Sequence, residues 1–190
     1  MNNHNTLPKI FVYLLHTIET LYQAQVSDSV KNRRNTALMI QPDTVLIVCY
    51  LWGVLHLCET TKAKYQLACS LFSDFPEYSR FVRRCNALLP YIQLMRQGFV
   101  FQEVQGIDVS IIDSFPIPMC QPIRNYRSRV LADYANIGYN ATKDQHFYGC
   151  KCHALVSESG YLLDYVISEA STADSAMTEL LLANTSPKTI

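Results

Sequence analysis

The spacing of apolar residues changes near residue 105, from intervals of three and four to intervals of two, and this change sets the outline of the fold. Over residues 7–22, Ile10, Leu14, Leu15, Ile18 and Leu21 share one helical face. Pro42 and Asp43 form a helix start before residues 45–58, whose nearly all-round apolarity marks the central helix of a bundle. Residues 62–72 read as a short helix. After the turn Asp74-Phe75-Pro76, residues 77–95 resume helical spacing through Phe81, Cys85, Leu88, Leu89 and Ile92, interrupted or kinked at Pro90. From residue 106 the period is that of a strand: Ile107, Val109 and Ile111 alternate with Asp108 and Ser110. Ile111 and Ile112 together suggest burial on both faces near the strand's end, Asp113 closes it, and Pro116 and Pro118 stop it. A polar loop over 121–145 carries Arg124, Arg127 and Arg129. Two further strands, 147–156 and 161–168, are joined as a hairpin by Ser157-Glu158-Ser159-Gly160. Helical spacing returns from Ala173, with Asp174 near the positive end of that helix. The expectation is an α+β protein, with a helical domain over 1–104 and a three-stranded sheet with one helix over 105–190.

Composition narrows the class. Of 190 residues, 49% are hydrophobic and 17% charged, enough to bury a core and too apolar for extensive disorder. Net charge is zero but uneven: ten Lys and Arg face seven Asp and Glu up to residue 105, and six face nine beyond it, which weakly suits a nucleic-acid-contacting front and an acidic, metal-using back. Seven cysteines without disulfide-like spacing, behind an N-terminus that lacks a secretory layout, suggest a reducing, cytoplasmic setting. The longest apolar stretch, 45–58, carries His56 and falls short of the roughly 20 residues a membrane span needs.

Three groups of residues are candidates for chemistry. Arg80, Arg83 and Arg84 recur at helical spacing opposite Phe81 and Cys85, a face that could grip phosphates or simply be solvated. Gly149-Cys150-Lys151-Cys152-His153 suggests a metal site, but alternation sends Cys150 and Cys152 to one sheet face and Lys151 and His153 to the other, which argues against zinc. Lys151 and His153 could together contact phosphate, orient a carboxylate, or lie on a partly exposed sheet face. Asp113 is the third candidate. Phosphodiester chemistry with two metal ions needs several converging carboxylates. Of Asp108, Asp164, Glu169 and Asp174, Asp108 alternates to the face opposite Asp113, and Asp174 suits a helix start.

The run IIDSFPIPMC, then Arg124 and Arg127, then ANIGYNATKDQHFYGCKCHALVSESGYLLDYVISEASTADSAM, resembles the bacterial DDE-type insertion-sequence transposases. The resemblance implies an RNase H-like catalytic domain behind a helical region. It makes Asp113 the first acid of the catalytic triad and a ligand of Mg²⁺ or Mn²⁺. Lys151 and His153 match the family's second strand, and Asp174 matches an acid usually not counted in the triad. The implied partner is DNA bearing terminal inverted repeats, contacted through Arg80, Arg83, Arg84, Arg124, Arg127, Lys151 and His153, with a homo-oligomer possible and no membrane. Family members place the second Asp and the Glu beyond the segments seen here. The expectation is therefore a truncated, poorly active transposase. One alternative is a non-catalytic protein that occupies transposon ends and inhibits transposition; another is a fragment prone to aggregation through its uncovered sheet.

Overall fold

The computed structural model describes residues 7–103, 110–129 and 131–185. It divides into two units, Met1–Gln102 and Glu103–Ile190.

The first unit is helical: α1 (Lys9–Gln25), α2 (Asp28–Lys31), a 3-10 turn (Thr36–Leu38), α3 (Asp43–Leu55), α4 (Thr61–Leu71) and α5 (Tyr78–Glu103). α3 is buried along most of its length, from Asp43 through Cys49 and again at Trp52 and Gly53, as its uniform apolarity requires. Leu46, Val48, Cys49 and Trp52 pack with Phe11 and Phe81 in one cluster, while Ile47 packs with Leu21, Tyr22, Leu88 and Met95 in another. α4 starts at Thr60, whose Oγ1 accepts from the Ala63 amide at 3.1 Å. Two helical expectations need correction. On α1, Leu14, Leu15, Ile18 and Leu21 turn to the core as expected, but Ile10 faces solvent and Phe11 is fully buried in its place. On α5, Pro90 does not end the helix, which continues to Glu103. A proline costs the amide hydrogen bond at its own position, and here Leu88 and Met95, buried on either side of an exposed Pro90, anchor both halves.

The second unit is an antiparallel sheet with one helix: β1 (Ser110–Cys120), a 3-10 helix (Pro122–Arg127), β2 (Asn136–Asn140), β3 (Gln145–Ser157), β4 (Leu162–Glu169) and α6 (Asp174–Thr185). β3 is central. β1 runs along one edge, and β2 and β4 share the other, β2 against residues 145–149 and β4 against 150–156. Gly160, at φ 86°, makes the β3–β4 turn without a Cβ penalty. Four strands are found where three were expected, because Asn136-Ile137-Gly138-Tyr139-Asn140, read as loop, pairs with the overhanging start of β3.

Pro116 and Pro118 do not stop β1; they lie within it. Among the described residues β1 pairs with β3 alone. Residues two apart point their amides the same way, so both missing N–H groups fall on the unpaired edge, where no ladder bond is lost. The Ser114 amide, in the same phase, donates to the side chain of Asp113 at 2.7 Å. Pro118 pairs with Gly149, and a Cβ on Gly149 would collide with the Ile117 carbonyl oxygen. Ile111 is exposed and not buried as expected. Ile107, Asp108 and Val109 lie outside the described residues. α6 packs on β4, β1 and β3, burying Leu181 and Leu155. Among the described residues, no helix is long and apolar enough to cross a membrane.

Candidate functional site

Register decides which side chains meet in the sheet unit. Asp113 pairs with Ala154 and Phe115 with Cys152, on one face; Ser114 pairs with His153 and Pro116 with Lys151, on the other. Lys151 and His153 therefore share a face, and both turn towards Asp174 at the start of α6. Lys151 Nζ donates to the Thr172 carbonyl at 3.0 Å and to Asp174 Oδ1 at 3.3 Å. His153 Nδ1 lies 3.4 Å from the same oxygen, without the alignment of a hydrogen bond. Burial works to raise the Asp174 pKa, but hydrogen bonds from Ser114 and Lys151 and the charge of Lys151 outweigh it, so the carboxyl stays below its usual range. An ionised Asp174 also suits the positive end of α6.

His153 is fully enclosed, and burial pushes its pKa below the ordinary value; the Lys151 charge acts the same way and Asp174 opposes both. Its Nε2 shares a hydrogen bond of 2.8 Å with Ser168 Oγ. Serine, histidine and aspartate thus stand in the order of a hydrolase triad. The imidazole has no solvent access, however, and Ser168 Oγ donates to the adjacent Glu169 carbonyl at 3.1 Å. This network fastens α6 to the sheet.

Asp113 is exposed on the opposite face. Asp113 and Asp174 cannot bind one cation between them. Glu169 is on Asp113's face, opposite Cys150, but about 13 Å further along by strand rise, and it accepts from Asn136 Nδ2 at 2.8 Å. Among the described residues, no group of three or more His, Cys, Asp or Glu could hold a metal ion. Among the described residues, the acids do not converge as a two-metal centre requires. Cys150 and Cys152 are buried on the Asp113 side of the sheet, as small core residues.

Arg124 and Arg127 are exposed on the 3-10 helix, Arg127 stacked 5.1 Å over the Tyr126 ring. In the helical unit, Arg80 and Arg83 are exposed, but Arg84 is committed. Its Nη2 donates to Asp43 Oδ1 at 2.6 Å. Asp43 is buried and also takes two bonds from Arg33, at 2.6 and 2.8 Å, and one from the Tyr22 hydroxyl at 2.9 Å. Burial opposes ionisation of Asp43, yet Arg33 and Arg84 hold its carboxyl below the usual range. The Tyr22 phenol, pushed up to about 12 by burial and by Asp43, stays neutral and donates. Sequence reading passed over this cluster; the signal was an acid at the head of an otherwise apolar helix.

Residues 102–189 match the model of a family described as the transposase DDE domain. The second unit is a transposase DDE domain. Its family consists of enzymes that cleave and transfer DNA, generally with divalent metal ions. No curated protein and no solved structure matches the chain. Asp113 and the Lys151–His153–Asp174 network both lie inside the DDE domain, whereas Asp43 and its arginines lie outside it.

Proposed function

We propose that the chain handles DNA in the transposition of a bacterial insertion sequence. In this reading the DDE domain supplies Asp113 as one ligand of a divalent cation, Mg²⁺ or Mn²⁺. The helical unit, with Arg80 and Arg83, and the DDE domain, with Arg124 and Arg127, hold the terminal inverted repeats, in a homo-oligomer. Lys151 and His153 act as positioning residues that hold Asp174 and α6, because His153 has no route to a phosphate. The observation that carries the reading is the family match over the stretch that contains Asp113.

One carboxylate does not hold a metal pair. Residues 1–190 alone are therefore expected to give negligible Mg²⁺-dependent nicking of inverted-repeat DNA. Robust nicking that disappears in Asp113→Ala would refute that expectation while upholding the transposase reading. A second reading, a protein that occupies transposon ends without cutting them, draws on the lack of a three-ligand cluster among the described residues. Gel-shift titrations at two salt concentrations, with inverted-repeat and random duplexes, separate the two: end occupancy requires preference for the repeats, and equal, salt-sensitive affinity for both leaves only phosphate binding.

A further inference from the structure

The helical unit contains a cavity of about 690 Å³ whose wall includes Arg33, Arg34, Arg80, Arg83 and Arg84, together with Pro76, and, among the described residues, no aspartate or glutamate. It lies between the segment that precedes α3 and the first turns of α5. Behind it, Asp43 neutralises part of the charge by pairing with Arg33 and Arg84. Arg34, Arg80 and Arg83 have no carboxylate partner among the described residues. Arg84 also carries an unmet donor, since its Nε is buried without a hydrogen-bond partner although its Nη2 is held by Asp43.

We infer that this cavity is a phosphate-binding site for the backbone of nucleic acid, with Arg34, Arg80 and Arg83 as the contacting cations and Asp43 as the anchor that aims Arg33 and Arg84. The inference rests on the DNA-handling reading and deepens it by changing the set of contacts. Arg34 joins, and Arg84 becomes a wall residue.

The chemistry of the wall selects the ligand class. Several guanidiniums around one space repel each other unless an anion fills it. Guanidinium forks match phosphate oxygens in shape as well as charge. The volume is that of a small-ligand pocket, ample for a phosphate with its flanking sugars. Among the described residues, no aromatic side chain lines it to stack a base and no carboxylate lines it to accept from a free ribose; the apolar wall is Leu38, Met39, Ile40 and Pro76. Such a site grips the backbone and leaves base sequence unread.

The test is fluorescence anisotropy of a labelled random-sequence duplex with the full 190-residue chain between 50 and 200 mM salt. Arms are the wild type, Arg34→Ala, the double variant Arg80→Ala/Arg83→Ala, and Lys62→Ala as an exposed cation on α4, away from the cavity. Each lost phosphate contact removes about 0.9 from the log–log salt slope. Over this fourfold range the salt-induced fall in affinity should shrink roughly 3.5-fold in Arg34→Ala and roughly 12-fold in the double variant, with Lys62→Ala unchanged. Circular dichroism checks that these exposed-site variants fold. If the duplex binds with wild-type slope in Arg34→Ala and in the double variant, or if Lys62→Ala loses as much as Arg34→Ala, the cavity assignment falls while DNA handling stands. If the wild type binds no duplex, the DNA-handling reading falls as well. Binding of pyrophosphate at these arginines without binding of duplex makes the cavity a small-anion site and overturns the nucleic-acid assignment.

Discussion

Asp43→Asn is the most informative single perturbation of the helical unit. The carboxylate is 4% exposed and receives three guanidinium bonds and one phenol bond. The amide keeps the shape but loses the charge, and its NH₂ must face a guanidinium. Removing one partner from a buried ion pair costs about 3–5 kcal/mol, because the other charge is left behind. Here Arg33, at 36% exposure, can turn to water, whereas Arg84, at 18%, cannot do so freely. The expected loss is thus near the lower end, about 3 kcal/mol. For a unit of this size that corresponds to a fall in Tm of roughly 12–24 °C. The chain's single tryptophan, Trp52, is buried in α3 against Phe11, at 5.5 Å between ring centroids, so its fluorescence during urea unfolding reports on this unit. Tyr22→Phe, which removes one donor and leaves both ion pairs, should cost only about 1 kcal/mol in the same assay. A loss below about 1 kcal/mol for Asp43→Asn would refute the view that this cluster organises the junction of α1, α3 and α5.

The sheet unit offers three further tests. Gly149→Ala should destabilise it by at least about 2 kcal/mol, since the new methyl meets a backbone carbonyl that cannot rotate away; amide exchange in β3 should accelerate accordingly. His153 has its pKa depressed by burial, so the unfolded chain takes up a proton first as pH falls below the ordinary value of 6.5, and stability should decline from there until the folded form titrates. His153→Gln should flatten that slope when stability is followed by hydrogen exchange. Asp113→Ala should leave stability within about 0.5 kcal/mol, because the side chain is exposed and bonds only the neighbouring amide among the described residues; a larger loss in thermal unfolding would show a structural role.

The architecture was legible where periodicity was long and unambiguous. α1, α3, α4, α5 and the β3–β4 hairpin follow directly from their spacing. β2 was not legible, because five residues with two large apolar side chains carry no pattern of their own and depend on β3 for a partner. β1 was misjudged at its end for a different reason: a proline excludes a residue only from a ladder bond, and whether that bond is needed depends on which edge is free. The same limit applied on α5. Spacing put Arg80, Arg83 and Arg84 on one face, but the acid that captures Arg84 lies forty-one positions away in sequence.

The DDE domain shows why residue type has to be read together with register. In the group that looks most catalytic, Ser168, His153 and Asp174, the imidazole is fully enclosed, and the three side chains link a sheet strand to the start of α6. The group that looks least equipped, Asp113, is exposed and free of any ion pair among the described residues. A metal ligand must keep its oxygens available and its carboxyl ionised without a competing cation, because a lysine at hydrogen-bond distance occupies the lone pairs a metal would need. Asp174 has such a cation, Lys151 at 3.3 Å, whereas Asp113 has none beside it among the described residues. Asp113 and Ser114 alternate across β1, so a shift of β1 by a single residue would turn Asp113 to the face that carries Asp174 and α6. The close passage of Ile117 over Gly149, tolerated only because Gly149 lacks a Cβ, opposes such a slip. That contact keeps Asp113 on the open face of the sheet.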